Sequence, residues 1–225
     1  MHEVQQPKTG PKQWLRRIIP DALLKERETF LRLGPKAGAI YAWYRLLDRM
    51  GVRPQKRERI SRSARSILFV CFGNIMRSPM AETMFRQSTA GKQILASAFS
   101  AGLHAIPGRE AHPRALAASN EIGLSLVEHR AQQLTPEMVS QADVIFVMDF
   151  KNKAEVLALY PEARDKVVLL SEYADGADRC REIPDPYFGD LESTRRCYAL
   201  LQTCIHNLAA ELARQNPRSV EPASR

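Results

Sequence analysis

The spacing of apolar positions changes near residue 66. From there, four short apolar runs alternate with stretches of helical length and periodicity. The runs predict strands at Ile67–Val70, Ile94–Ser97, Val144–Met148 and Val167–Leu170. The intervening stretches predict helices at Met80–Ser88, Pro113–Ile122, Pro136–Gln141, Asn152–Tyr160 and Leu191–Ala213. This alternation favours an α/β fold of three layers, in which helices cover both faces of a four-stranded parallel sheet.

The first 62 residues follow a different pattern and predict a short helical N-terminal extension. Two stretches, Pro20–Leu33 and Pro35–Met50, each begin at a proline and are followed by a glycine, which suits a helical hairpin. The second stretch has an apolar stripe made of Ile40, Tyr41, Trp43, Tyr44, Leu46 and Leu47. We therefore divide the chain into an extension (1–62), a main domain (63–216) and a flexible tail (217–225).

The net charge of +8 is concentrated in the extension. Residues 1–65 contain 16 Lys and Arg against 6 Asp and Glu, whereas residues 66–225 contain 17 against 19. Two interpretations stay open: the extension packs as an appendage with solvated basic side chains, or it contacts an acidic partner or a membrane surface. It contains no nucleic-acid motif, and we expect no nucleic acid as partner.

Composition indicates the cellular compartment of the protein. No apolar run approaches the roughly 20 residues of a membrane-spanning helix, and the segment Met1–Gly10 is polar, unlike a signal peptide. Four irregularly spaced cysteines do not predict a disulfide framework, so reduced thiols are expected. These features predict a cytoplasmic protein in which a reactive thiol is possible.

The segment that follows the first predicted strand contains candidate chemistry. From Cys71 to Pro79 it has the sequence Cys-Phe-Gly-Asn-Ile-Met-Arg-Ser-Pro. Ser78 suits a helix N-cap and Pro79 a first helical residue, so the loop should surround a helix N-terminus, where anions bind. Gly73 and Asn74 tolerate left-handed backbone angles, which would let successive amides point inward at a phosphate.

The side chains of this loop suit phosphoryl transfer. The amides, the helix dipole and Arg77 favour the thiolate of Cys71, which is the nucleophilic form. The planar fork of Arg77 can hold two phosphate oxygens at once. Ser78 can donate a hydrogen bond to the thiolate as it departs. The Cys-to-Arg spacing alone has little specificity, but the whole string in this order is far more specific.

A second candidate segment has the sequence Ile183-Pro184-Asp185-Pro186-Tyr187-Phe188-Gly189, and its Asp185 lies 114 residues downstream of Cys71. In isolation an Asp-Pro pair usually indicates only a turn. The flanking prolines stiffen the loop.

Together the two segments resemble the signature of the low-molecular-weight protein tyrosine phosphatase family. The similarity covers about residues 66 to 214, including Ser100-Ala101-Gly102-Leu103, His129-Arg130-Ala131 and Val147-Met148-Asp149, and it departs from the family at Phe72 and Met76. The resemblance implies a flavodoxin-like sheet and a hydrolase that acts through a phosphocysteine intermediate on Cys71. It also implies that Asp185 is the general acid, because expelling a phenolate, whose conjugate acid has a pKa of about 10, is slow unless the leaving oxygen is protonated. Asp185 would donate that proton and then accept one from water. The resemblance implies no cofactor, and as partner a phosphotyrosine-containing protein such as a tyrosine kinase.

The resemblance also assigns supporting residues. Phosphate binding and loop support would come from Phe72, Gly73, Asn74, Ile75, Met76, Ser78 and His129, with Asn74 and His129 holding the loop in shape. The slot for the phosphotyrosine ring would be lined by Phe72, Tyr187 and Phe188. The remaining histidines at 104, 112 and 206 lack metal-ligand spacing, so we predict no metal site.

Two alternatives stay open. A thioredoxin-coupled arsenate reductase shares the fold but needs further cysteines. Cys197 and Cys204 lie seven positions apart on the last predicted helix, about 10.5 Å along its axis, whereas a disulfide bridges at most roughly 7 Å. We interpret them as core residues. The other alternative is a non-catalytic phosphotyrosine-binding module, and the presence of Cys71, Arg77 and Asp185 argues against it.

Overall fold

The computed structural model describes residues 21–52, 60–61, 64–90, 94 and 96–215. Its helices and strands follow in the order α1 (Asp21–Arg49), β1 (Ser66–Cys71), α2 (Arg77–Thr89), β2 (Ser97–Gly102), α3 (Pro113–Glu121), α4 (Pro136–Gln141), β3 (Val144–Val147), α5 (Phe150–Leu159), β4 (Val167–Leu169) and α6 (Leu191–Gln215). Short 3-10 helices occur at Pro161–Lys166, Leu170–Tyr173, Gly176–Asp178 and Pro186–Phe188. The predicted boundary at 62 and the predicted tail lie outside the described residues.

The four strands form one parallel sheet in the order β2-β1-β3-β4, which confirms the predicted architecture. Strand β1 lies inside the sheet and is fully buried from Ile67 to Val70. Its side chains alternate between the faces: Phe69 packs in one apolar cluster with residues of α2 and α6, and Leu68 packs in another with residues of α1, α4 and α5. The carboxyl end of β1 is therefore held between two apolar layers.

The second strand is the main error of the sequence prediction. It was predicted at Ile94–Ser97 and instead occupies Ser97–Gly102, where all six residues pair with β1. The true strand is rich in Ser, Ala and Gly, which have weak strand propensity, and pairing with a buried neighbour overrides that preference.

Helix α1 belongs to the extension, and the two helical stretches predicted as a hairpin are joined in it across a kink. Gly34 has non-helical angles (φ 75°, ψ 174°), so two helical segments meet there, as expected from Pro35. The second segment packs on the main domain: Ala37 and Tyr41 are buried, and Tyr44 is half-buried against the same apolar cluster as Leu68. The packing interpretation is thus confirmed for this part of the stripe.

The remainder of the stripe does not pack in the same way, since Trp43 and Leu46 are exposed. Contact with an acidic partner or a membrane surface stays a prediction. None of the helices in the described part of the chain is long and apolar enough to span a bilayer.

Candidate active site

The segment between β1 and α2 forms a tight loop at the carboxyl edge of the sheet. Its backbone carbonyls are held by neighbouring chain segments: Leu103 N–H donates to Cys71 O (3.0 Å), His104 N–H to Phe72 O (2.7 Å) and His112 N–H to Ile75 O (3.0 Å). The main chain of the loop is therefore fixed by residues that follow β2.

Gly102, the last residue of β2, lies directly against this loop. A Cβ atom added to it would be 2.8 Å from Asn74 N and 2.9 Å from both Gly73 C and Phe72 O, which is closer than carbon atoms pack. Only a glycine allows the strand and the loop to approach this closely.

Asn74 is the central support of the loop. It is fully buried, with a left-handed φ of 52°. Its side-chain amide donates to Ser78 Oγ and Ser100 Oγ, both at 2.9 Å, and its Oδ1 accepts from Gln132 N–H at 2.8 Å. Its backbone carbonyl is 2.7 Å from His129 Nε2, which donates to it. Asn74 and His129 thus make hydrogen bonds at the loop, and their role in holding its shape stays a prediction. Of the two residues that tolerate left-handed backbone angles, Asn74 adopts them and Gly73 does not.

Cys71 is buried at the base of the loop. Its sulfur is 3.0 Å from Ser78 Oγ, and the Asn74 N–H points at it from 3.3 Å. Ser78 Oγ is also 3.2 Å from Ala101 O, so its single hydrogen has two possible acceptors. A thiolate only accepts hydrogen bonds, and it would draw this hydrogen to the sulfur.

The prediction of Ser78 as N-cap is wrong. Helix α2 begins two residues earlier than predicted, at Arg77 instead of Pro79, and its N-cap is Met76, whose side chain caps no amide. The Ser78 hydroxyl is instead used for contacts with Cys71 and Asn74. Ile75 and Met76, the remaining predicted loop residues, are both buried.

Arg77 is buried between two carboxylates. One guanidinium nitrogen donates to Asp149 Oδ2 (2.7 Å) and to Ile183 O (3.1 Å), and another donates to Asp185 Oδ2 (2.8 Å). Burial alone would lower the pKa of Arg77, but the charges of Asp149, Asp185 and Cys71 outweigh it and raise that pKa above its usual value. The arginine is therefore a permanent cation at the mouth of the loop.

Asp149 is a partner that sequence reasoning left without a role. It lies two residues after the end of β3 and is the N-cap of α5, where its Oδ1 accepts from Asn152 N–H at 2.7 Å. Its other oxygen holds Arg77. The available signal was an aspartate placed after a strand and before a helix, at the sheet edge where the loop lies.

The second predicted segment lies beside the loop. Ile183 N–H donates to Met148 O (2.8 Å), which attaches the segment to the end of β3. Two residues later, Asp185 caps a 3-10 helix by accepting from Tyr187 N–H (3.2 Å) while its Oδ2 contacts Arg77. Its side chain keeps 40% of its surface exposed, so it borders the site from the solvent side.

Aromatic rings border the site. Phe72 is exposed and stacks on His104 with ring centroids 4.6 Å apart, and His104 pairs with Glu155. Tyr187 packs edge-on against His112 at 5.5 Å, and Phe188 packs edge-on against Tyr187 at 5.0 Å. The two histidines were missed because neither has a sequence signal beyond its residue type.

This chain matches the family described as low molecular weight phosphotyrosine protein phosphatase over residues 66–218. It belongs to that family. Its relatives in the family include a protein named as probable low molecular weight protein-tyrosine-phosphatase EpsP of Ralstonia nicotianae, 39% identical over 138 residues, which are 61% of this chain and 89% of the relative. A protein-arginine-phosphatase of Bacillus subtilis is 32% identical over 146 residues, 65% of this chain and 95% of the relative.

Solved structures of phosphatases share the fold. The YwlE arginine phosphatase from Geobacillus stearothermophilus has a TM-score of 0.62 and 32% identity, covering 70% of this chain and 99% of that one. The tyrosine phosphatase Wzb from Escherichia coli, in complex with sulphate, has a TM-score of 0.60 and 32% identity, covering 66% of this chain and 99% of that one. The phosphatase family therefore includes relatives with two different named substrates.

Proposed function

We propose that this family member hydrolyses phosphotyrosine in proteins through a phosphocysteine intermediate on Cys71, with Arg77 as phosphate clamp and Asp185 as general acid and base. The supporting observation concerns the loop of residues 71–76, here called the cysteine loop, and residues 183–189, here called the acid segment. One guanidinium joins the two, because Arg77 follows the cysteine loop in sequence and its side chain contacts Asp185 at 2.8 Å. The acid segment is therefore held at the arginine that directly follows the cysteine loop.

Binding would begin as an exchange of anions on Arg77. In the free enzyme Asp185 occupies one nitrogen of the guanidinium, where a phosphate oxygen would bind. An incoming phosphate dianion competes for this nitrogen and turns the carboxyl group toward the leaving oxygen. Asp149 stays behind Arg77 and keeps it oriented.

In the first chemical step, the Cys71 sulfur would attack phosphorus as the bond to the phenolic oxygen breaks. The electron pair goes to that oxygen, which receives the proton of Asp185, so the dephosphorylated tyrosine side chain of the substrate protein leaves. In the second step, Asp185 takes a proton from a water that attacks phosphorus, and the sulfur departs as a thiolate. Ser78 Oγ at 3.0 Å and Asn74 N–H at 3.3 Å stabilise it by hydrogen bonds.

The aromatic border favours phosphotyrosine as substrate. Phe72 and Tyr187 offer exposed ring surface beside the loop, on which a phenyl ring can stack. A phosphoarginine side chain is the second candidate, since the arginine phosphatases named above match this chain as well as the tyrosine phosphatases do in fold. Its guanidinium could also lie over a ring, so the two substrates have to be compared directly.

Arsenate reduction has less support. A resolving cysteine must attack as a thiolate, and burial raises the pKa of Cys197 and of Cys204 to about 12. Both lie on the buried face of α6. A binding module without turnover has no need of the acid segment, which in this protein reaches the arginine.

The test compares wild type, Cys71→Ser and Asp185→Asn on matched peptides containing phosphotyrosine, phosphoserine or phosphoarginine. We expect turnover of phosphotyrosine above the others, none in Cys71→Ser, and a phosphorylated Cys71 peptide in rapidly acid-quenched wild type by mass spectrometry. In Asp185→Asn, kcat/KM should fall much more for phenyl phosphate than for p-nitrophenyl phosphate, whose leaving group needs no proton. A preference for the phosphoarginine peptide would show that phosphoarginine is the substrate instead of phosphotyrosine. Turnover by Cys71→Ser would refute the mechanism.

A further inference from the structure

Helix α1 packs along the whole length of α5. Near the start of α5, the Tyr44 ring lies parallel to Phe150, with centroids 5.9 Å apart and planes 4° apart. Lys153 places its ammonium 5.0 Å from the centre of the same Tyr44 ring. Near the other end, Lys36 Nζ donates to Ala158 O at 2.5 Å. The extension is therefore fixed to the helix whose N-cap is Asp149, the carboxylate that orients Arg77.

One side chain connects α1, α5 and the acid segment. Glu182 Oε1 accepts from the backbone N–H of Phe150 at 3.0 Å, and its Oε2 is 3.4 Å from a guanidinium nitrogen of Arg45 in α1. Glu182 immediately precedes Ile183, whose carbonyl accepts from Arg77, and lies three residues before Asp185. A shift of Glu182 would therefore move backbone that contacts the catalytic arginine.

Arg45 supplies positive charge beside Glu182, which lies near a second carboxylate, that of Asp149. Burial and the neighbouring Asp149 raise the pKa of Glu182, whereas the Phe150 N–H, Arg45 and Lys151 oppose that rise. The Arg45 guanidinium is shared with Asp48 at 3.5 Å. Removing the positive charge would leave two carboxylates of like charge, Glu182 and Asp149, with less compensation, and Glu182 would lose its tie to α1.

We propose that Arg45 and Glu182 are positioning residues, through which the N-terminal helix sets the place of the segment that carries Asp185. The proposal rests on the proposed role of Asp185 as general acid. The Arg45–Glu182 pair is partly exposed and its contact is long, at 3.4 Å, so we expect its main effect in the acid-dependent step and not in folding. The extension thus acts as a part of the catalytic apparatus, although none of its described residues reaches the cysteine loop.

The experiment measures kcat/KM for phenyl phosphate and for p-nitrophenyl phosphate in the full-length protein. The variants are Arg45→Gln, Arg45→Lys, Glu182→Gln and the double variant Arg45→Gln/Glu182→Gln. Arg32→Gln is the matched control, because Arg32 is exposed on the same helix and makes no ion pair with the described residues. Melting temperatures establish that each variant is folded, and Asp185→Asn supplies the reference for loss of the acid.

We expect Arg45→Gln and Glu182→Gln each to lower kcat/KM for phenyl phosphate by roughly three- to tenfold, the scale of a sub-ångström displacement, with a smaller loss on p-nitrophenyl phosphate. The double variant should lose no more than either single one, Arg45→Lys should recover most activity, and Arg32→Gln should match wild type. Equal losses on both substrates, or wild-type ratios in folded Arg45→Gln and Glu182→Gln, would overturn the proposal. If Asp185→Asn itself shows no dependence on the leaving group, the acid role of Asp185 fails instead.

Discussion

Replacing Gly102 by alanine tests whether the close approach of β2 sets the shape of the cysteine loop. The added methyl group would lie 2.8 Å from Asn74 N and 2.9 Å from Gly73 C, and both are backbone atoms that cannot rotate away. Ordinary contacts between carbon atoms begin at about 3.4 Å, so the strand and the loop must separate by roughly 0.5 Å. The backbone angles of Gly102 are open to alanine, since its φ is not in the left-handed region, and the effect is therefore steric.

Two magnitudes follow from this displacement. Overpacking of a rigid contact costs about 1–3 kcal/mol, and a domain of this size loses roughly 2–4 °C of melting temperature per kcal/mol. A misplacement of about 1 Å can lower catalysis 100-fold, so half of that predicts about a tenfold loss of kcat/KM. Vanadate should also bind more weakly, because the Asn74 amide moves with the loop.

The assay combines thermal unfolding, kcat/KM on a phosphotyrosine peptide and vanadate inhibition. Gly73→Ala is the control for stability, since a Cβ there would meet only the Ile75 side chain, at an ordinary 3.6 Å, and the variant should melt near wild type. A Gly102→Ala protein with wild-type melting temperature and wild-type kcat/KM would refute the steric argument.

Three further outcomes are expected. Cys71→Ser should abolish turnover and still bind phosphate in calorimetry, because the Asn74 amide and Arg77 remain. Loss of phosphate binding in this variant would contradict the assignment of the cysteine loop as the phosphate site. After prolonged peroxide, dithiothreitol should restore little activity, because the thioether of Met76 cannot trap the oxidised Cys71 as a disulfide; Met76→Cys should recover better, and an efficient native disulfide found by mass spectrometry would contradict this. Burial raises the pKa of Glu182, so the stability that this residue contributes is present in acid and is lost as pH rises above 4.5 through the raised pKa. Glutamine does not titrate, and the free energy of unfolding of Glu182→Gln should therefore increase relative to that of wild type between about pH 4 and 7. Parallel pH profiles of the two proteins would contradict this expectation.

The sequence predicted what depends on local patterns. Three of the four strands, the main helices and the break at Gly34 follow from apolar spacing and from prolines, and the meeting of Cys71, Arg77 and Asp185 follows from the family resemblance together with the rule that ligands bind at the carboxyl ends of parallel strands. The role of a residue type with one dominant chemical use, such as a cysteine before a Gly-Asn turn, can be predicted without a structure.

What could not be predicted depends on packing between distant segments. Strand β2 consists of small residues because Gly102 lies against the loop, and strand propensity has no term for that contact. Ser78 suits a helix cap in isolation, but its hydroxyl bonds the sulfur of Cys71 instead. The link from Arg45 to Glu182 joins residues 137 positions apart, and single-sequence patterns contain no information on such pairs.

The pairing of Arg77 with two remote carboxylates has a consequence for how activity is acquired. Its partners are 72 and 108 positions away along the chain, in the turn after β3 and in the segment before α6. Closing such long loops is the slow part of folding, so a chain that has formed only its first βα unit would present the cysteine loop with an uncompensated guanidinium. Catalytic competence should therefore return only with the last kinetic phase of refolding, which makes turnover itself a probe of complete assembly.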